Sequence, residues 1–192
     1  MAQGKRVAAI LLLLGLAGCA SRSPVELGRD ADPRAARARL AEAARQGPVR
    51  LEVNGLPRTT DGSLAVTDVL KQAARGITGL EVRFAPPTEA VGTARLVLLF
   101  DPPQVAGAAR VCSASTLPEP RPGAEPLRLR AVFCDGGAYL ADATGTTTDR
   151  SKAGVERLIW RTTGRLFPDD YQESYGFHLL GNRIGFSGRL GL

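Results

Sequence analysis

From residue 49 onward, apolar positions recur with two periods. Val49, Leu51 and Val53 alternate with Arg50, Glu52 and Asn54, the spacing of a half-buried strand. Asn54-Gly55 and Asp61-Gly62 are turn dipeptides. Val66, Val69, Leu70 and Ala73 then fall on one face of a helix, with Ser63 or Thr67 as its cap and Gly76-Ile77 as its stop. Leu80, Val82 and Phe84 alternate again, so 49–84 predicts strand, helix, strand, joined by a right-handed parallel crossover.

Residues 85–93, with Pro86-Pro87, predict a loop. Residues 96–100 are apolar without a break, as in a central strand buried on both faces, and Asp101-Pro102-Pro103 ends the run. In 127–134, Leu127, Leu129, Ala131 and Phe133 share one face; Arg128, Arg130, Val132 and Cys134 share the other. Asp135-Gly136 predicts a hairpin turn into a weaker strand over 138–144, followed by polar loop over 145–149. A last helix is expected over 151–166, with Val155, Leu158, Ile159, Thr162 and Leu166 as its buried stripe. Trp160 falls off that stripe and is expected at the edge of the core.

The fold class is therefore α/β or α+β: a single domain over 49–168, roughly βα-β-β-β-β-α, with helices packed on a mixed sheet. Upstream, 20–31 is rich in Ser, Arg, Pro and Gly and is expected to be a mobile tether. Asp32-Pro33 has the chemistry of a helix start, and Gly47-Pro48 of a stop. The alanine- and arginine-rich helix between them has Leu40 as its one large apolar residue and is expected to be short and largely exposed. Residues 169–192 are glycine-rich, with scattered Tyr175, Phe177, Leu179 and Ile184, and read as a disordered tail or a docking segment.

The first eighteen residues follow a different plan: Lys5 and Arg6, an apolar run over 7–14 too short to span a bilayer, then a small-residue stretch. Leu16-Ala17-Gly18-Cys19 resembles the lipobox of bacterial lipoproteins. The resemblance implies that 1–18 is a signal peptide, that a diacylglycerol joins the Cys19 thiol, and that 19–48 begins as a lipidated tether. It further implies a membrane-anchored protein facing the periplasm, with its chief partner the membrane, through the lipid on Cys19. Ala20 and Ser21 follow the cysteine where an aspartate would favour inner-membrane retention, so the outer membrane is favoured.

Cysteine arithmetic follows from that assignment. With Cys19 taken, Cys112 and Cys134 remain, and an even pair in an oxidising compartment reads as a structural disulfide. It would close a loop containing Pro118, Pro120, Pro122 and Pro126.

Charge excludes little. Lys and Arg total 25 against 19 Asp and Glu, but Lys5 and Arg6 leave with the signal peptide. The remaining excess is spread along the chain, which with the expected compartment argues against nucleic acid. No catalytic, cofactor-binding or metal-binding residue is assigned. His178 is the sole histidine and lies in the tail, a poor setting for a general base or a His-rich metal site. Ser187 lacks the spacing of a nucleophile elbow, residues 144–148 lack that of a phosphate loop, and Asp169-Asp170 lacks further oxygen ligands for calcium. The reading is a non-catalytic accessory or binding module of the cell envelope, with an envelope protein or polymer as partner. An envelope hydrolase using two carboxylates and a carrier for an apolar ligand are the alternatives.

Overall fold

The computed structural model describes residues 24–103, 107–121 and 123–169. Cys19, the signal peptide and all but the first residue of the 169–192 tail, with His178 and Ser187, lie outside the described residues. The described residues form a mixed α/β domain with one six-stranded sheet and four helices. In chain order these are β1 (Val25–Leu27), α1 (Pro33–Gln46), β2 (Val49–Asn54), α2 (Val66–Gly76), β3 (Phe84–Ala85), β4 (Ala94–Phe100), α3 (Ala108–Ser113), β5 (Leu127–Asp135), β6 (Ala138–Thr147) and α4 (Lys152–Leu166). The sheet order is β1-β6-β5-β4-β2-β3.

The predicted parallel pairing of the two strands is present. β2 pairs in parallel with β3 across α2 and, on its other side, in parallel with β4. β4, β5, β6 and β1 continue antiparallel. The apolar run of β4 lies between β2 and β5, with Leu96 through Phe100 all buried, as a central strand covered on both faces requires.

The alternation along each strand sorts side chains between two unequal layers. Leu51, Leu96, Leu98, Phe100, Leu129, Phe133, Ala141 and Ala143 meet α1, α2 and α4 in the main core. Phe133 and Phe167 pack edge to face there, with ring centroids 5.0 Å apart. On the opposite face Val97, Leu99, Val132 and Cys134 meet the short α3, Leu117 and Tyr139.

Five expectations are corrected. Residues 25–27 are not mobile tether but an edge strand, with Val25, Glu26 and Leu27 opposite Gly145, Thr144 and Ala143. The domain thus starts near Val25 rather than Val49. α1 is not largely exposed: Ala36, Leu40 and Ala43 are buried, because alanines let the helix lie close to the sheet. Arg39 fixes it there, pairing with Asp135 at the β5–β6 turn through Nε at 2.7 Å and Nη2 at 3.0 Å. β6 runs on to Thr147, through residues expected in a loop. Its Gly145 is a packing position, since a Cβ there would lie 2.6 Å from Thr162 Oγ1 and 2.9 Å from Leu158 Cδ1 of α4. Finally, of the expected 80–84 strand only Phe84 pairs with β2, joined by Ala85 from the expected loop, and α2 begins after Ala65 without a side-chain cap, leaving Val66 exposed.

The α4 boundaries agree with expectation. Ser151 Oγ accepts a hydrogen bond from Gly154 N, and all five residues of the predicted stripe are buried. Asp32 caps α1 in the same way, accepting from Ala35 N at 2.9 Å. No helix among the described residues is long and apolar enough to cross a membrane.

Candidate interaction surfaces

Cys112 and Cys134 form the disulfide, their Cα atoms 5.5 Å apart. It joins α3 to β5 and holds the segment after β4 against the thinner face of the sheet. Two polar contacts assist. Arg95 donates through Nη2 to Cys112 O at 2.7 Å and Val111 O at 3.2 Å, supplying donors to carbonyls at the C-terminal end of α3. Asn54 Nδ2 donates to Pro118 O at 2.6 Å. Arg95 also pairs with Glu52, Nη1 to Oε1 at 3.1 Å.

Beside this layer lies a polar cluster the sequence reading did not identify. Asp142 on β6 is 3% exposed. Its carboxylate accepts from Arg130 Nε at 2.9 Å and from Tyr139 Oη at 2.6 Å. Burial, then the bond to Asp142, pushes the Tyr139 hydroxyl well above the usual tyrosine range, so it stays protonated and acts as a donor. A register shift between Phe133 and Cys134 brings Tyr139 opposite Cys134 and Asp142 opposite Val132, on this face of the sheet. Gly28 completes the closure. Its amide donates to Asp142 O at 2.8 Å, and a Cβ would lie 1.8 Å from Asp142 Oδ1. Bonded on each side and shielded, Asp142 organises the junction of β5, β6 and the turn after β1.

The opposite surface, formed by the helices, has another character. α1, α2 and α4 carry ten Lys and Arg against three Asp and Glu, so the outer face of this layer is basic. α2 and α4 run side by side in the same direction. Lys152 Nζ meets Asp68 Oδ2 at 2.7 Å, Gln72 Nε2 donates to Glu156 Oε2 at 3.2 Å, and Gly76 reaches Trp160, Thr163 and Gly164. A Cβ on Gly76 would lie 2.1 Å from Thr163 Oγ1, and one on Gly164 2.8 Å from Gly76 O, so glycine on each helix permits the crossing.

Above this contact is an open groove of about 350 Å³, lined by Gln72 and Arg75 of α2 and by Ala153, Glu156, Arg157 and Trp160 of α4. The α4 members are spaced i, i+3, i+4, i+7, a second stripe on the side away from the core. Trp160 is not at the core edge as expected; it is 46% exposed on the groove wall. Among the described residues no group of three or more His, Cys, Asp or Glu is placed to hold a metal ion.

Comparison with known proteins gives no family assignment. No protein-family profile matches the chain, and no curated protein matches it. Two solved structures resemble it in outline. One is a PelC dodecamer from Paraburkholderia phytofirmans, 16% identical, with 75% of this chain and 94% of that one covered and a TM-score of 0.38. The other is a point variant of the same protein, 18% identical, with 77% and 99% covered and a TM-score of 0.39. Likeness at this level transfers neither activity nor assembly state.

Proposed function

We propose that this chain is a lipid-anchored protein of the cell envelope, facing the periplasm and acting as a non-catalytic binding module. The observation that carries the reading is the disulfide. Of three cysteines, Cys112 and Cys134 are joined to each other, which leaves Cys19, the cysteine of the lipobox-like sequence, as the one available for acylation. A buried structural bridge fits an oxidising compartment, and Ala20 and Ser21 favour the outer membrane.

The position of β1 adds a constraint. Val25 lies six residues after Cys19, and a fully extended chain advances at most ~3.6 Å per residue, so the sheet starts within about 22 Å of the Cys19 backbone. An anchor this short holds the domain at the membrane surface rather than letting it range across the periplasm. Two or three acyl chains would hold it firmly, each buried methylene adding ~0.8 kcal/mol. The binding partner is then an envelope protein or polymer, met on the basic helical face.

The test is expression of the full chain in a Gram-negative host fed an alkyne-bearing fatty acid. The expected result is label on the membrane-associated wild-type protein and none on Cys19→Ser, with Cys112 and Cys134 refusing alkylation until reduced. Label retained by Cys19→Ser, or three reactive thiols in unreduced protein from the cytosol, would overturn the proposal.

A further inference from the structure

The groove between α2 and α4 has the makings of a ligand site. Trp160 offers an aromatic face at its wall, with its neighbours on that wall polar or small. Two guanidiniums, Arg75 and Arg157, flank it, both exposed, and neither closes a hydrogen bond or salt bridge among the described residues. The carboxylates nearby are already engaged. Glu156 accepts from Gln72 and lies 3.9 Å from Lys152 Nζ. Asp149, close enough to Arg157 to feel its charge, is bonded through Oδ1 to both the amide and the hydroxyl of Ser151. The arginines therefore remain available to an incoming anion.

We infer that this groove binds an acidic saccharide, with a sugar ring stacked on Trp160 and its carboxylate or phosphate held by Arg75 and Arg157. An aromatic face suits the weakly polar face of a pyranose ring, guanidiniums pair with carboxylate or phosphate in fork geometry, and Gln72 and Glu156 supply hydrogen-bonding groups for hydroxyls. The volume is of the order of small-molecule sites. A lipid surface fits less well. Insertion wants a continuous apolar patch on a convex face. Among the described residues the large exposed apolar side chains are Leu56, Val66, Val91 and Trp160; of these only Trp160 lies on the groove, where Gln72, Arg75, Glu156 and Arg157 surround it. This inference concerns the groove alone and does not depend on how the chain is anchored.

Trp160 is the sole tryptophan of the sequence, so its emission reports directly on the groove. The mature full-length chain is titrated with tetragalacturonate, with uncharged maltotetraose, with inorganic phosphate, and with phosphatidylglycerol vesicles. A saturable change in Trp160 emission is expected with tetragalacturonate and none with maltotetraose. Arg75→Gln and Arg157→Gln, surface changes whose folding is checked by circular dichroism, should each weaken it about tenfold. No saturable change with tetragalacturonate, an equal response to maltotetraose or to phosphate, or a response to the vesicles alone would overturn the inference.

Discussion

At the scale of single residues, Asp142 and Gly28 form the tightest glycine contact among the described residues. The carboxylate is shut in by a glycine that has no room for a Cβ, and it serves a partly buried guanidinium and a partly buried hydroxyl together. Gly28→Ala should therefore cost about 2 kcal/mol or more through overpacking, measured by urea denaturation. Asp142→Ala should cost about 3 kcal/mol, because Tyr139 loses its acceptor and Arg130 one of its partners. Tyr139 also has an alkaline signature. Its folded-state pKa is raised, so its contribution is complete below the ordinary tyrosine value of 10.0 and is lost as pH rises beyond it. Tyr139→Phe should flatten the fall in melting temperature above pH 10. None of this was legible beforehand. Arg130, Tyr139 and Asp142 sit in an ordinary alternating pattern, and it takes the strand pairing and the register shift to bring them together.

Among elements, legibility followed local periodicity. α4 was readable because Val155, Leu158, Ile159, Thr162 and Leu166 all point one way within a single helix. β4 was readable because a short unbroken apolar run has few other uses. β1 was not, since three residues among Ser, Arg, Pro and Gly acquire meaning only beside β6, more than a hundred positions later. The outer stripe of α4 was written in the sequence at 153, 156, 157 and 160, but it becomes a groove only when α2 lies alongside. α1 misled for another reason: an alanine face buries little area per residue, yet it allows close approach. Leu40→Ala should thus destabilise by about 2–4 kcal/mol in chemical denaturation, where a solvated helix would give nearly none. Reduction of the Cys112–Cys134 bridge, which spans 22 residues, should cost about 3 kcal/mol in the chain-entropy model and loosen α3 first, as hydrogen exchange of 107–117 would register.

For the whole molecule, the two sides of the sheet are built by different means. One is a conventional apolar core beneath three helices. The other is a thinner layer held by a covalent bridge and by arginine contacts. Ion pairs reinforce both: Arg39 with Asp135, Arg130 with Asp142, Lys152 with Asp68. Asp135 is held below its ordinary carboxylate value of 3.8, first by the Arg39 hydrogen bond and then by that of Thr93. A depressed folded-state pKa contributes stability above that value, and the contribution fades as pH falls through the folded one. Acid titration should accordingly show a stability loss below pH 3.8 that is smaller in Asp135→Asn, followed by thermal melts.

The flanks of the sheet carry one more consequence. β1 has three residues and follows Pro24; β3 has two and runs into Pro86-Pro87. Neither strand is itself long enough to offer a row of free amides that would template a neighbouring backbone, and proline removes a donor beside each. Copies of this domain are thereby guarded against zipping into extended sheets through β1 or β3, which leaves side chains as the chief means of contact there.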